Sequence, residues 1–201
     1  RGLVRTPSNF GFQGSKPTHP ALLDWLADTF VRGGWKMKSL HRLIMLSATY
    51  QMSAQNNPTA SAKDPDNDLL WRFDMRRLQA EELRDSILAA NGSLNLQMDG
   101  PSIYVKIPDV VLAGQSVPGA GWGNSPIDQQ RRRSTYIYVK RSLITPIIAS
   151  FDGPETDLSC PLRFATTQPT QALGMLNSDF INEEAKIFAD FVAKNAGNDP
   201  A

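Results

Sequence analysis

The sequence predicts a mainly α-helical domain, and three observations carry that prediction. Apolar residues recur with the helical period in several stretches, as in Leu22, Leu26 and Phe30. Stop signals follow those stretches, Gly33-Gly34 after the first and Asn91-Gly92 after a later one. Only two short runs, Ile103 to Ile107 and Ser134 to Val139, have the β-branched and aromatic alternation of strands. The expected architecture is about five helices in one domain over residues 1–201, with a small two-stranded β ribbon and a long Gly/Pro-rich loop.

Residues 1–17 place Gly2, Pro7, Gly11, Gly14 and Pro17 among polar residues and read as an extended lead-in with little packing of its own. A helical part over 18–98 follows. Thr18 or His19 caps the first helix, Pro20 sits in its first turn, and Trp35 is expected to plug the turn after Gly33-Gly34. Leu40, Leu43, Ile44 and Ala48 place a second helix over Lys38 to Ala54, packed on the first as a hairpin. Gln55 to Asp68 has the composition of a mobile loop. Leu83 and Ile87 mark a third helix over Gln79 to Ala90. Residues 99–130 form the loop insertion around the Ile103 to Ile107 strand, which is expected to pair with Ser134 to Val139. The rest of 131–201 adds two helices: Pro169 opens the fourth, and the cap cluster Asn177-Ser178-Asp179 opens the fifth. Gly197 to Ala201 is expected to fray.

Composition narrows the function. With 41% hydrophobic and 20% charged residues among 201, the chain is globular and can bury a core. A net charge of +1 supplies no global field to draw in nucleic acid or an anionic membrane, and no apolar run is long enough for membrane insertion. The opening Arg1-Gly2-Leu3 is neither an initiator methionine nor a signal peptide, which suggests a piece of a longer chain. Cys160 is the single cysteine, so an intrachain disulfide and a Cys-x-x-Cys-His haem attachment are excluded within these residues. Two histidines, His19 and His41, stand 22 positions apart on different helices and make no metal-ligand spacing. Neither a metal nor a cofactor is expected in this segment.

Carboxylates offer the best catalytic candidates. Asp152, Glu155 and Asp157 cluster around a Pro/Gly turn, and Glu81 and Asp85 stand one helical turn apart, as general acid–base chemistry would need. Arg76, Arg77, Arg84, Lys140, Arg141 and Arg163 could equally pair with these acids in a structural network. Arg131-Arg132-Arg133 followed by Tyr136, Tyr138, Lys140 and Arg141 is the one basic and aromatic interleaving, suited to phosphate, sulfate or carboxylate groups. Cys160 reads as a structural cysteine beside a turn, because Glu155 and Asp157 would raise a nearby thiol pKa.

Ordered blocks of sequence add to this. Thr18-His19-Pro20-Ala21-Leu22-Leu23-Asp24-Trp25, Leu40-His41-Arg42-Leu43-Ile44, Asp64-Pro65-Asp66-Asn67 and Arg77-Leu78-Gln79-Ala80-Glu81-Glu82-Leu83-Arg84-Asp85 come first. Arg133-Ser134-Thr135-Tyr136, Lys140-Arg141, Phe151-Asp152, Ser159-Cys160 with Arg163, Thr167, Pro169, Gln171-Ala172-Leu173 and Leu176-Asn177 follow. Together they resemble the planctomycete-specific domain of unknown function. The resemblance implies the C-terminal part of a large exported protein, at the periplasm or cell surface, downstream of a partner domain and often of a cytochrome-c-like module. Any c-type haem would belong to that absent module.

The expected function is a non-catalytic interaction module whose partners are neighbouring domains of the parent chain. The alternative is an enzyme or binding module for an extracellular, anionic or sulfated, polysaccharide. In that alternative Asp152, Glu155, Asp157 or Glu81 would be catalytic, and Arg141, Arg163, Arg77, Arg84, Tyr136, Gln171 and Asn177 would bind.

Overall fold

The computed structural model describes residues 2–160 and 162–196; the expected fraying at Gly197 to Ala201 lies outside them. The chain forms two compact units, Arg1–Arg76 and Arg77–Ala201.

The first unit holds α1 (Pro20–Arg32), α2 (Met37–Met45) and α3 (Pro58–Lys63). Helix α1 begins as expected, with Pro20 in its first turn, where a missing N–H costs nothing. Trp35 does not plug the following turn. It takes φ +60° and stays 67% exposed, touching Phe30 edge to face at 5.2 Å. Helix α2 packs on α1 but stops at Met45, short of the expected Ala54. The reason is local: Ser47 Oγ donates to the Ile44 carbonyl at 2.7 Å and accepts from Tyr50 N–H at 3.2 Å, so turns replace the helical ladder.

The stretch expected to be a mobile loop contains α3, because Asn57 Oδ1 caps it by accepting from the Thr59 and Ala60 amides at 3.1 Å. Beyond it, Asp64 accepts from the Asp68 and Leu69 amides, and Trp71 Nε1 donates to the Asp64 carbonyl at 2.8 Å. The lead-in is pinned to the same turn, Arg5 donating to Asp68 and to the Asp66 carbonyl. No hydrophobic residue of this unit is buried among the described residues.

The second unit is built around α4 (Ala80–Ala90), which packs on α7 (Pro146–Ser150), on a 3-10 turn at Ser134–Tyr136 and on α9 (Asp179–Asn195). Helix α8 (Pro169–Leu176) bridges α7 and α9. Glu82 closes the start of α4 by accepting from the Gln79 N–H at 2.9 Å. Its end is a Schellman motif, with Ser93 N–H donating to the Leu88 carbonyl at 2.9 Å and Gly92 N–H to that of Ala89 at 3.2 Å. Gly92 takes φ +73°, and a Cβ there would meet the Phe191 ring at 3.0 Å, so both conformation and packing require glycine.

Two short helices, α5 (Asp109–Ala113) and α6 (Ile127–Gln130), lie within the expected loop insertion. Nine α-helices thus stand among the described residues. The five longest match the five expected, and the four additional ones span four to six residues, too few for a period to register.

The expected ribbon is replaced by something smaller. Ile103 and Ile137 meet in one isolated parallel bridge, with Ile103 N–H donating to the Tyr136 carbonyl and Tyr138 N–H to that of Ile103, each at 2.8 Å. Ser134–Tyr136 coils into the 3-10 turn because Asp85 Oδ1 accepts from both the Ser134 amide and its hydroxyl, at 2.8 and 2.6 Å. Alternation still decides burial. Ile103, Val105 and Ile107 face inward with Leu143, against Val111, Leu112, Trp122, Tyr136 and Ile137.

Candidate functional site

All the candidate residues belong to the second unit, and most meet one another in pairs. Asp152 follows Phe151, the C-cap of α7, at φ +57°, a conformation Asp tolerates better than most side chains. Its carboxylate accepts from the Thr166 amide at 2.8 Å, from the Thr166 hydroxyl at 3.0 Å and from Arg77 Nη2 at 2.5 Å. The Thr166 hydrogen bonds and the Arg77 charge hold the Asp152 pKa below the usual carboxylate value. Such a group is an anion at neutral pH and a poor proton donor. Arg77 also lies over the Phe151 ring at 5.3 Å, while its Nε and Nη1 are buried with no hydrogen-bond partner among the described residues.

Gln171 extends this cluster. It is 7% exposed; its Oε1 accepts from the Gln168 N–H at the start of α8, and its Nε2 donates to the Ser150 carbonyl at 3.1 Å and to Thr166 Oγ1 at 3.3 Å. The amide therefore locks the start of α8 to the end of α7.

Two further pairs take up the other candidates. Arg163 Nη1 donates to Glu81 Oε2 at 2.6 Å, with both side chains about 70% buried. Arg141 Nε donates to Asp157 Oδ1 at 2.5 Å, an exposed pair. Glu155 is exposed. Asn177 is the C-cap of α8, its backbone N–H donating to the Leu173 carbonyl.

Arg84 is buried to 3% exposure and donates to the carbonyls of Gln130, at 2.6 Å, and Arg132, at 3.2 Å, and to Ser134 Oγ at 3.2 Å. Burial lowers its pKa, and the nearby Asp85 and Glu184 charges oppose that shift. Tyr136 lies beneath the Arg132 guanidinium, 3.9 Å from its ring centroid, and its hydroxyl accepts from the Asp99 amide at 2.9 Å. Arg132, 1% exposed, spends its donors on the carbonyls of Gln97, Asp99 and Pro101. At the far end of α4, Glu184 accepts from Asn91 Nδ2 at 2.5 Å, both residues being buried. Arg132, Asn91 and Glu184 carry as much of this polar framework as the candidates do. In the sequence, Arg132 is marked only by its basic run and Asn91 only by the Asn91-Gly92 stop, neither of which points to these contacts.

The geometry is that of clamps. Three of the four candidate carboxylates, Asp152, Asp157 and Glu81, are each held by a candidate arginine. Among the described residues no group of three or more His, Cys, Asp or Glu side chains is placed to hold a metal ion. Cys160 is an exposed free thiol.

The first unit carries a different feature, an open apolar cavity of about 1520 Å³ between α1, α2 and the 70–76 segment. Trp25, Leu26, Leu43, Ile44, Tyr50 and Phe73 line it, with Arg42 and Arg72 among the polar lining groups. Trp25 is 52% exposed and Leu46 63%. The helices α1 and α2 pack on each other as expected, yet much of their amphipathic stripes remains open in this unit.

Taken together, these features define a helical protein pinned internally by arginine–carboxylate pairs, with an uncovered apolar face. The family model PSD1, described as a protein of unknown function (DUF1553), matches residues 1–198, and the chain belongs to that family. No curated protein and no solved structure matches it.

Proposed function

We propose that the chain is a non-catalytic interaction module whose first unit receives a neighbouring domain of the same longer polypeptide. The open cavity between α1 and α2 is the observation that carries this reading. A unit with no buried hydrophobic residue among those described, yet with Trp25, Leu43, Ile44 and Tyr50 converging on one cavity, leaves apolar surface in water that a partner would cover. Covering it gains roughly 25 cal/mol per Å² of apolar area, less the cost of association.

The clamped carboxylates support the non-catalytic half of the reading. Asp152, held below the usual carboxylate range by Thr166 and Arg77, is a poor proton donor, and Glu81 and Asp157 each have an arginine for a partner. The family resemblance supplies the setting we propose: an exported protein at the periplasm or cell surface. Where a cytochrome-c-like module accompanies it, the haem lies in that module and reaches this chain by contact.

The test supplies the neighbouring domain in trans to the chain and to Leu43→Asp and Trp25→Ala variants. Binding by the parent sequence, weakened at least about tenfold by either variant with the melting temperature preserved, is the expected result. Equal binding by all three would overturn the reading.

A further inference from the structure

The basic and aromatic run from Arg131 to Arg141 is only partly absorbed by the fold. Arg132 and Tyr136 are spent internally, but Tyr138 and Lys140 are not. Tyr138 is 36% exposed and joins Tyr104 and Trp122 in a three-ring cluster, with centroids 4.9 Å apart for Tyr104–Tyr138, 5.7 Å for Tyr104–Trp122 and 6.1 Å for Trp122–Tyr138. Local structure explains the cluster. Ile103, Val105 and Ile107 point into the core, alternation turns Tyr104 away from it, and Trp122, packed on the core and bonded to the Val105 carbonyl, meets Tyr104 from beside that run. The Ile103–Ile137 bridge then brings Tyr138 alongside it.

The loop that carries Trp122 is fixed in two ways. Trp122 Nε1 donates to the Val105 carbonyl at 3.0 Å, and the backbone at Gly123 lies so close to Tyr104 that a Cβ there would meet the ring at 2.9 Å. Both contacts hold Trp122 against Tyr104 before any ligand arrives, which lowers the ordering cost of binding.

Two chemical features are left over. The Tyr104 and Tyr138 hydroxyls have no hydrogen-bond partner among the described residues, although each ring is partly covered. The Lys140 ammonium is held by the Ala120 carbonyl in the same loop, and among the described residues no carboxylate pairs with it. Nearby Arg141 differs in this respect, its charge being matched by Asp157.

We propose that Tyr104, Trp122, Tyr138 and Lys140 form a binding site for an acidic saccharide. The apolar C–H face of a pyranose lies against the electron-rich face of an exposed aromatic ring. The free phenolic hydroxyls match sugar hydroxyls, and the unpaired ammonium matches a uronate carboxylate or a sulfate. A proline-rich peptide would also use aromatic rings, but it gives the ammonium no counter-charge. This site goes beyond the partner-docking role and is independent of the α1–α2 cavity.

The test is calorimetric titration of the full chain with a galacturonate hexasaccharide, a neutral maltohexaose and a polyproline peptide. The uronate should bind more tightly than the neutral sugar. Tyr138→Ala should weaken both sugars about three- to tenfold. Lys140→Met, at a position outside the core, should abolish the preference for the uronate over the neutral sugar. Melting curves of both variants check that the fold is kept, and Tyr138→Phe should retain the stacking if Tyr138→Ala unfolds. No saccharide binding, saccharide binding indifferent to Tyr138→Ala and Lys140→Met, or tighter binding of polyproline would each overturn the proposal.

Discussion

Arg77 Nη2 and Asp152 Oδ2 meet at 2.5 Å although 75 positions separate them in the chain. The contact ties the segment leading into α4 to the turn after α7, and Thr166 closes the same carboxylate from the other side. Because these partners hold the folded pKa of Asp152 below the unfolded value of ~3.9, the unfolded chain binds more protons through that window. The stabilisation is fully present above the unfolded pKa and is lost as pH falls through the folded one. Asp152→Asn, which tolerates positive φ, should therefore be less stable than the parent sequence near neutral pH, and the difference should shrink as acid is added. Urea unfolding of both proteins between about pH 2 and pH 7 checks the sign; a difference independent of pH would contradict it.

Burial gives Arg84 a larger role than the exposed pairs have. Arg84→Met removes donors to two carbonyls and to Ser134 Oγ, and leaves Asp85 without its neighbouring charge. A loss of about 3 kcal/mol in unfolding free energy is expected from the unsatisfied acceptors, and denaturant titration measures it.

The two remaining clamps should differ in strength. Arg163–Glu81 is mostly buried, whereas the side chains of Arg141 and Asp157 are 75% and 64% exposed. Double-mutant cycles to alanine should give a coupling of about 1 kcal/mol for the first pair and below ~0.5 kcal/mol for the second, where water and salt screen the charges. Raising the salt concentration should reduce the second further.

In the first unit, Asn67 combines φ +56° with 2% exposure, and its side chain donates to the Arg72 carbonyl at 2.9 Å and accepts from the Arg72 amide at 3.3 Å. Asn67→Ala loses both bonds and adds backbone strain, so a cost of about 2 kcal/mol is expected. Asn67→Gly should cost less, since it relieves the strain. Thermal unfolding followed by the fluorescence of Trp25, Trp35 and Trp71 compares the two.

The parts of this structure legible in sequence are those written in local period and punctuation. The five longer helices are all present, four of them close to where the pattern places them and α2 shorter than its pattern, and the Asn91-Gly92 stop and the Pro20 and Pro169 starts hold. The pattern brings the Ile103 and Ser134 runs together as a ribbon, whereas they share a single bridge, because Asp85 reaches Ser134 from 49 positions away. Long range also hides the clamps. The abundance of arginine made ion pairing one of two readings for the carboxylates, yet nothing local pairs Arg163 with Glu81 across 82 positions. The cavity was hidden for another reason: an amphipathic stripe reads alike whether its apolar face is covered or left open.

Amide hydrogen exchange most directly tests the central claim, that α1 and α2 form a receiving surface and the polar pairs hold the fold. It should be followed in this chain alone and in the presence of the neighbouring domain proposed as its partner. Slower exchange with that domain present, concentrated in residues 22–50 and 70–76 around the cavity and absent around Asp152 and Glu81, is the predicted result. Unchanged exchange around the cavity, or protection appearing instead at Asp152, Glu81 and Arg163, would contradict the account.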